Sequence, residues 1–228
     1  KAAFKTWLNE RPQAWCDQVE VVAMDGFTGF KTATTEELPD AVAVMDPFHV
    51  VRLAGDALDR CRRRVQQHLH GHRGRKDDPL YTSRRTLHTG RELLTEKQRT
   101  RLERLFATDA HVEVEVTWWI YQRMITAYRH PDRSRGRELM VELIESLSHG
   151  VPAVLSELVT LGRTLKKRVA DVLAYFDRPG TSNGPTEAIN GRLEHLRGSA
   201  LGFRNLTNYI ARSLLESGGF RPQLHRGL

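Results

Sequence analysis

Three acidic side chains stand at positions where carboxylates can bind a metal ion. Asp25 and Asp46 each follow a short apolar run, and Glu187 comes two residues after Pro185. Carboxylate oxygens are the ligands that Mg²⁺ prefers, and Mg²⁺ usually keeps several waters and substrate phosphates as well. Two such ions support an in-line displacement at phosphorus. These residues therefore indicate metal-dependent phosphoryl transfer, although a strand-end Asp is also a common turn or N-cap residue.

Glu187 has polar neighbours on its own predicted helix. Asn183 lies four positions before it and Asn190 three positions after it, so the three side chains share or border one helix face. The letters TSN followed by Pro185 are typical of a capped helix start with proline in the first turn.

The two Asp residues belong to a predicted strand–helix–strand unit. Residues 19–24 and 41–45 have the pattern of short buried strands, and residues 27–38 that of an amphipathic helix between them. Such a unit joins neighbouring parallel strands through a right-handed crossover. Asp25 and Asp46 are thus expected together at the carboxyl edge of the sheet, where open α/β folds place their chemistry.

The rest of the chain is predicted to be helical. Helices are expected over residues 2–10, 48–69, 95–106, 109–128, 135–147, 152–176, 185–196 and 206–216, with a largely irregular, Arg-rich segment over 70–94. Two strands are too few for a stable sheet, which usually needs three or more. The predicted fold class is therefore α/β, with a partial sheet and a large all-helical insertion, predominantly helical in this chain.

Basic residues are concentrated in one part of the chain. The 228 residues include 35 Lys and Arg against 28 Asp and Glu, a formal net charge of +7. The segment 52–104 has 15 basic and 7 acidic residues, a net charge of +8, and 28 of the 35 basic residues are Arg. Arg binds phosphate oxygens through two parallel hydrogen bonds. This segment indicates a polyanionic partner, most often nucleic acid, against the alternative of a solvated helix face.

Composition argues against several other classes of protein. With 39% apolar and 28% charged residues, the chain is expected to be a globular protein outside the membrane, since no apolar run approaches the ~18 residues of a span. Cys16 and Cys61 are too few for a disulfide framework, which favours a reduced cytosolic setting. The first residue is Lys1 rather than Met, and we therefore expect an N-terminal part to be missing.

Four blocks in order along nearly the whole chain resemble one protein family. They are VVAMDGFTGF at 21–30, MDPFHVVRL at 45–53, SNGPTEAINGRLEHLRGSALGFRN at 182–205, and the ending LLESGGFRPQLH. Together they resemble bacterial insertion-sequence transposases of the ISL3 type. Pro47 stands where that family usually has Arg and Ala188 where it usually has Gly, and neither position is an expected metal ligand.

The resemblance implies a partial RNase H-like fold and a DDE triad, two Asp and one Glu, that cuts and joins DNA with Mg²⁺ or Mn²⁺. Asp25 corresponds to the second catalytic Asp and Glu187 to the Glu, and both are expected to be catalytic and to bind the metal. The first Asp has no counterpart here, so this chain alone is expected to be inactive.

Four further residues are expected to support that site. Asp46 and His49 match an Asp-x-x-His signature of related transposases. Asp46 is expected to position its neighbours or the DNA, with the second catalytic Asp as the alternative assignment. Asn183 and Asn190, beside the expected catalytic Glu, are given a similar supporting role.

The resemblance also implies a domain organisation and partners. Residues 1–48 are expected in the RNase H-like core, 49–176 in a basic helical insertion that contacts DNA, and 177–228 in the core again. The partners are the element ends and target DNA, held by a homodimer or larger assembly in the bacterial cytoplasm, at the nucleoid and away from any membrane. The expected DNA contacts are Arg52, Arg60, Arg62, Arg63, Arg64, Arg73, Arg75, Lys76, Arg192, Arg197 and Arg204.

Two alternatives remain: a catalytically dead remnant, and a basic helical module that binds DNA without cutting it.

Two other clusters have plainer interpretations. His68, His70 and His72 alternate along the chain without the paired Cys or His ligands of a zinc site, and they are expected in an exposed basic loop. Trp118 and Trp119 have helical spacing with apolar neighbours, which favours the core over stacking on DNA bases.

Overall fold

The computed structural model describes residues 2–26, 28–72 and 74–218. The chain forms two compact units, Lys1–Thr181 and Ser182–Leu228. The described residues are mostly helical, with one two-stranded parallel sheet in the first unit. None of the described helices is long and apolar enough to cross a membrane.

The first unit begins with two helices, α1 (Ala2–Asn9) and α2 (Gln13–Cys16). The predicted strand–helix–strand arrangement follows as β1 (Val21–Met24), α3 (Thr28–Glu37) and β2 (Val42–Met45). The strands pair in parallel from Val21 with Val42 to Met24 with Met45. The predicted parallel pair is confirmed, and each strand is one or two residues shorter than expected.

Helix α4 (Pro47–His70) leads directly from β2 into the helical part of the unit. Its buried residues include Ala54, Leu58, Cys61 and Val65, one stripe at a three-to-four-residue spacing. This stripe packs mainly against helix α8 (Val112–Arg129), and the two helices share one hydrophobic core.

The segment after α4 is more ordered than the sequence suggests. It contains two single-turn helices, α5 (Pro79–Thr82) and α6 (Arg84–Leu87), and a 3-10 turn over Arg91–Leu93. Asp78 is buried and accepts hydrogen bonds from the Leu80 amide at 2.8 Å and from Gln66 Nε2 at 2.5 Å. This tie to α4 explains the order, because a buried carboxylate is stable only when it is hydrogen-bonded.

The remaining helices of the unit pack around α4 and α8. They are α7 (Glu96–Phe106), α9 (Arg133–Ser148), α10 (Ser156–Lys167) and α11 (Val169–Asp177), with a 3-10 turn over Asp109–His111. The capping box predicted at the start of α7 is present, since the Thr95 side chain accepts from the Gln98 amide and Gln98 accepts from the Thr95 amide.

The single helix predicted over residues 152–176 is wrong. Arg168 separates α10 from α11 with φ −115° and ψ 17°. Its guanidinium is buried against residues far away in the sequence. The apolar periodicity continues through the break, and so the pattern alone does not reveal it.

The second unit is a helix pair, α12 (Gly184–Ser199) and α13 (Leu206–Ser217). The predicted helices 185–196 and 206–216 are both present. Asn205 caps α13 by accepting from the Thr207 amide at 2.8 Å, and the rings of Phe203 and Tyr209 lie 5.1 Å apart at the turn between the helices.

The two cysteines should differ sharply in reactivity. Cys61 is fully buried between α4 and its neighbours, and burial raises the pKa of its thiol to about 11. Cys16 is partly exposed. Because the thiolate is the reactive form, a thiol reagent at pH 8 should label Cys16 rapidly in the native protein and both cysteines in urea. Equal labelling rates of Cys16 and Cys61 in the native protein would contradict the burial of Cys61.

Candidate functional site

The carboxyl edge of the sheet brings Asp25 and Asp46 side by side. Each residue directly follows a strand end, and the last residues of the strands, Met24 and Met45, are register partners. The Asp46 amide extends the ladder by donating to the Met24 carbonyl at 2.9 Å. The expected juxtaposition of these two acids therefore exists in the structure.

Asp46 acts as a helix cap. It is buried, and its Oδ1 accepts hydrogen bonds from the amides of Phe48 at 2.8 Å and His49 at 3.4 Å. A carboxylate at this end of a 24-residue helix also interacts favourably with the helix dipole. These contacts support a positioning role for Asp46. His49 is partly buried in the same first turn.

Asp25 is partly buried, and the backbone around it is held by a guanidinium. Arg168 Nη1 donates to the Gly26 carbonyl at 3.4 Å, and Arg168 Nη2 contacts the Met24 sulfur at 3.7 Å. Arg168 thus contacts the residue on each side of Asp25. These contacts place the Arg168 guanidinium against the end of β1.

Arg168 belongs to a buried ion triad that the sequence pattern does not reveal. Arg168 Nε donates to Asp171 Oδ2 at 2.6 Å, and Lys31 Nζ bridges both Asp171 oxygens at 2.7 and 2.6 Å. Arg168 and Asp171 are almost fully buried. The one available signal was a charged pair three residues apart inside an apolar helical pattern.

A basic cleft of about 680 Å³ opens beside Gly26. Three cations (Lys31, Lys167 and Arg168) line it, together with Glu36 and several threonines of α3 and α10. Lys31 and Arg168 also pair with Asp171. Ammonium, guanidinium and hydroxyl groups are the side chains that most often contact nucleic-acid phosphates. The cleft therefore suits a phosphodiester next to the strand end that carries Asp25.

Glu187 lies in the second unit, in the first turn of α12. Its side chain is exposed, and Oε1 accepts from Asn183 Nδ2 at 3.4 Å. Asn190 is exposed one turn further along the helix. Asn183 thus contacts Glu187, as their spacing predicts, and a carboxylate in the first turn of a helix is favoured by the helix dipole.

Comparison with known proteins agrees with the blocks found in the sequence. A family model described as transposase, of the ISL3 type, matches residues 1–213. The chain belongs to the ISL3 family of transposases. It is also 28% identical, over 91% of its length, to transposases for the insertion sequence element IS1557 from two strains of Mycobacterium tuberculosis, CDC 1551 / Oshkosh and ATCC 25618 / H37Rv. The chain spans about half the length of these relatives, 50% of each. No solved structure matches it.

The densest basic run of the transposase, 60–64, is largely engaged with carboxylates. Arg62 is buried and donates to Asp59 at 3.0 Å, and Arg63 pairs with the same carboxylate. Arg64 donates to Glu157 at 2.8 Å. Arg62 and Arg64 therefore serve the fold. The Asp59 partner of Arg62 is a local i,i+3 spacing, whereas the partners of Arg64 come from other helices and could not be read from the sequence.

The other candidate DNA contacts are placed on the surface. Arg52, Arg60, Arg75, Lys76, Arg192, Arg197 and Arg204 are exposed. Arg197 pairs with Glu194 at 2.9 Å. Arg73 lies outside the described residues. These exposed residues remain candidates for DNA contact.

The histidine and tryptophan clusters differ in part from expectation. The rings of His70 and His72 stack 5.7 Å apart, and His72 Nδ1 accepts from the Gly74 amide. Within the described ranges no group of three or more His, Cys, Asp or Glu side chains could hold a metal ion. Trp118 is buried as expected, but Trp119 is 40% exposed.

Removing the shared carboxylate of the ion triad should destabilise the first unit strongly. Asp171→Ala leaves the buried Arg168 without its anion, and breaking such a pair costs about 3–5 kcal/mol. Lys31→Ala removes a partner whose side chain is 32% exposed and should cost about 1 kcal/mol or less. Urea unfolding of the two variants measures the difference, and equal losses would contradict this account.

Two adjacent arginines of α4 offer a second matched comparison. Arg64→Ala leaves the nearly buried Glu157 without its arginine partner. This change should cost about 2 kcal/mol in the free energy of unfolding. Arg63→Ala removes a surface pair whose Arg side chain is 60% exposed and should cost below about 1 kcal/mol. If Arg63→Ala lowers the free energy of unfolding as much as Arg64→Ala does, the structural role of Arg64 is refuted.

The effect of Arg64→Ala should also depend on pH. Burial alone would raise the pKa of Glu157, but hydrogen bonds from Arg64 and the backbone outweigh it and lower that pKa. The pair therefore stabilises the protein fully above the ordinary Glu pKa and loses its effect as pH falls through the lower, folded-state pKa. The difference between wild type and variant should shrink towards pH 3.

Proposed function

We propose that this transposase cuts DNA at the ends of an insertion sequence and joins those ends to target DNA by metal-dependent phosphoryl transfer. The observation that carries the proposal is the register of β1 and β2. It sets Asp25 at the carboxyl edge of a parallel sheet, beside Asp46 and a basic cleft. The family match over residues 1–213 supports the same chemistry.

The proposed domain organisation is an RNase H-like core interrupted by a helical insertion. Residues 1–48 begin the core, residues 49–176 form the insertion, and residues 177–228 return to the core. The packing of α11 on β2 supports this division, because the end of the helical segment comes back to the sheet from which α4 departs.

The acidic residues present fit a hard divalent cation. Asp25 offers a partly buried carboxylate and Glu187 an exposed one, and oxygen donors of this kind suit Mg²⁺ or Mn²⁺. Asp46 fits less well as a ligand, because its Oδ1 already accepts two backbone hydrogen bonds. We therefore assign metal binding to Asp25 and Glu187 and positioning to Asp46.

The remaining residues orient the substrate. When bound, the divalent ions neutralise charge developing at phosphorus and activate the attacking oxygen. Lys31, Lys167 and the threonines of the cleft hold a DNA phosphate beside Asp25, and Arg168 keeps the strand end in place. Asn183 orients Glu187 through its side-chain hydrogen bond. A water and then a 3′-hydroxyl serve as nucleophiles, so no protein side chain becomes covalently attached to DNA.

The proposed partners follow from this reaction. The protein binds the ends of its element and a target duplex, and a homodimer or larger assembly holds two ends together. The site of action is the bacterial nucleoid within the cytoplasm. The assembly is proposed by analogy with DNA recombinases of this kind, which pair two DNA ends.

Cleavage of an element-end duplex tests the catalytic assignment. In the complete open reading frame that encodes this chain, Asp25→Ala and Glu187→Ala should each reduce Mg²⁺- or Mn²⁺-dependent cleavage by about 100-fold or more. The matched controls are two exposed acids, Asp40→Ala after α3 and Glu194→Ala on α12, which should cleave at the wild-type rate.

Two results would contradict the proposal. If Asp25→Ala or Glu187→Ala cleaves DNA at the wild-type rate, the substituted residue is not part of the catalytic site. Tight DNA binding by the wild-type protein without cleavage in either metal would favour a DNA-binding module that lacks catalysis.

A further inference from the structure

A second basic cleft, remote in sequence from the acidic residues, lies along helix α7 and has a volume of about 680 Å³. Lys97, Arg101 and Arg104 line it. These residues are four and three positions apart, so they form a single stripe on one face of the helix. On its other side the cleft is lined by Pro79 and Thr82 of α5 and by Ser83.

The three cations have no counter-charge in the fold. Across residues 2–26, 28–72 and 74–218, no carboxylate pairs with Lys97, Arg101 or Arg104, and no acidic side chain lines the cleft. Arg99, on another face of the same helix, does pair with Glu96 at 3.5 Å. Arg62, Arg63 and Arg64 of α4 likewise pair with Asp59, Glu113 and Glu157. In the α7 cleft, by contrast, three cations without an ion pair among the described residues line one cavity.

Like charges at these spacings repel one another and destabilise a helix. Helix α7 nevertheless forms, because its capping box satisfies the first turn and Leu102 and Leu105 are buried in the core. A stripe that opposes the stability of its own helix is most simply explained by a bound anion. Functional sites are where proteins tolerate such local conflicts.

The spacing identifies the kind of anion. Lys97 and Arg104 are seven residues apart, which is about 10 Å along a helix at 1.5 Å per residue. Phosphates follow one another every ~3.4 Å of axis along each strand of DNA, so a stripe of this length offers contacts to more than one of them. The hydroxyls of Thr82, Thr100 and Thr108 also line the cleft, and hydroxyl groups commonly donate to phosphate oxygens. The arrangement suits successive phosphates of a nucleic-acid backbone.

We infer that the α7 cleft, defined by Lys97, Arg101 and Arg104, binds the phosphate backbone of duplex DNA. The site is separate from the acids proposed for catalysis. The inference that the nucleic acid is DNA and not RNA rests on the proposed function. The inference that the cleft binds phosphates rests only on its lining residues. Backbone contacts carry no base sequence information, so the cleft should strengthen binding to any duplex.

The salt dependence of DNA binding tests this inference without catalysis. The full-length protein is titrated with a fluorescent duplex of random sequence in EDTA over 50–300 mM salt. Each lost phosphate contact lowers the slope of log Kobs against log[salt] by about 0.9. The triple variant Lys97→Ala, Arg101→Ala, Arg104→Ala should lower the magnitude of the slope by about 2 to 3, and Arg101→Ala alone by about 0.9.

A charge-matched control separates the cleft from net charge. The variant Arg133→Ala, Arg135→Ala, Arg137→Ala on α9 also removes three exposed cations, and its slope should change much less. The charge-retaining variant Arg101→Lys, Arg104→Lys should keep most of the wild-type slope. Thermal unfolding should show the α7 triple variant to be at least as stable as wild type, since it relieves repulsion.

The outcomes are distinct. Equal slopes for the α7 triple variant and its control would overturn the inference, as would tighter α7-dependent binding of an RNA duplex of the same length. Because the assay contains no metal, a reduced slope supports the cleft even if the cleavage assignment of Asp25 and Glu187 fails.

Discussion

A two-stranded parallel sheet cannot cover its own faces, and the first unit is organised around that constraint. Helix α11 returns, more than a hundred residues after β2, to pack on that strand. The buried pair of Arg168 and Asp171 fixes the return, and Lys31 of the crossover helix completes it. Since Arg168 also contacts Gly26 and Met24, the ion pair that holds α11 lies against the strand end that precedes Asp25.

The placement of acids determines what the basic residues do. Arg and Lys are concentrated between residues 52 and 104, and this excess suggested a single DNA-binding patch. Glu113 and Glu157, from α8 and α10, engage Arg64, while Asp59 engages Arg62. The remaining positive charge lies on α7 and on scattered exposed arginines. Ion pairs within α4 and between helices thus show which cations serve the fold, which a count of charges cannot.

Local patterns predicted those features of the fold that depend on neighbouring residues. The parallel strand pair, the capping box of α7 and the contact between Asn183 and Glu187 all follow from short spacings. The break at Arg168 was missed because contacts with residues about 140 positions away override a continuous apolar pattern. The role of Asp46 as a helix cap was among the open alternatives, and only the hydrogen bonds to its Oδ1 favour it.

The central proposal is that Asp25 and Glu187 both bind divalent ions when the protein acts on DNA. Anomalous diffraction from crystals of the full-length protein with an element-end duplex and Mn²⁺ tests it most directly. The account predicts manganese peaks about 2.1 Å from carboxylate oxygens of both residues. Manganese bound at the scissile phosphate without Asp25 or without Glu187 would contradict it.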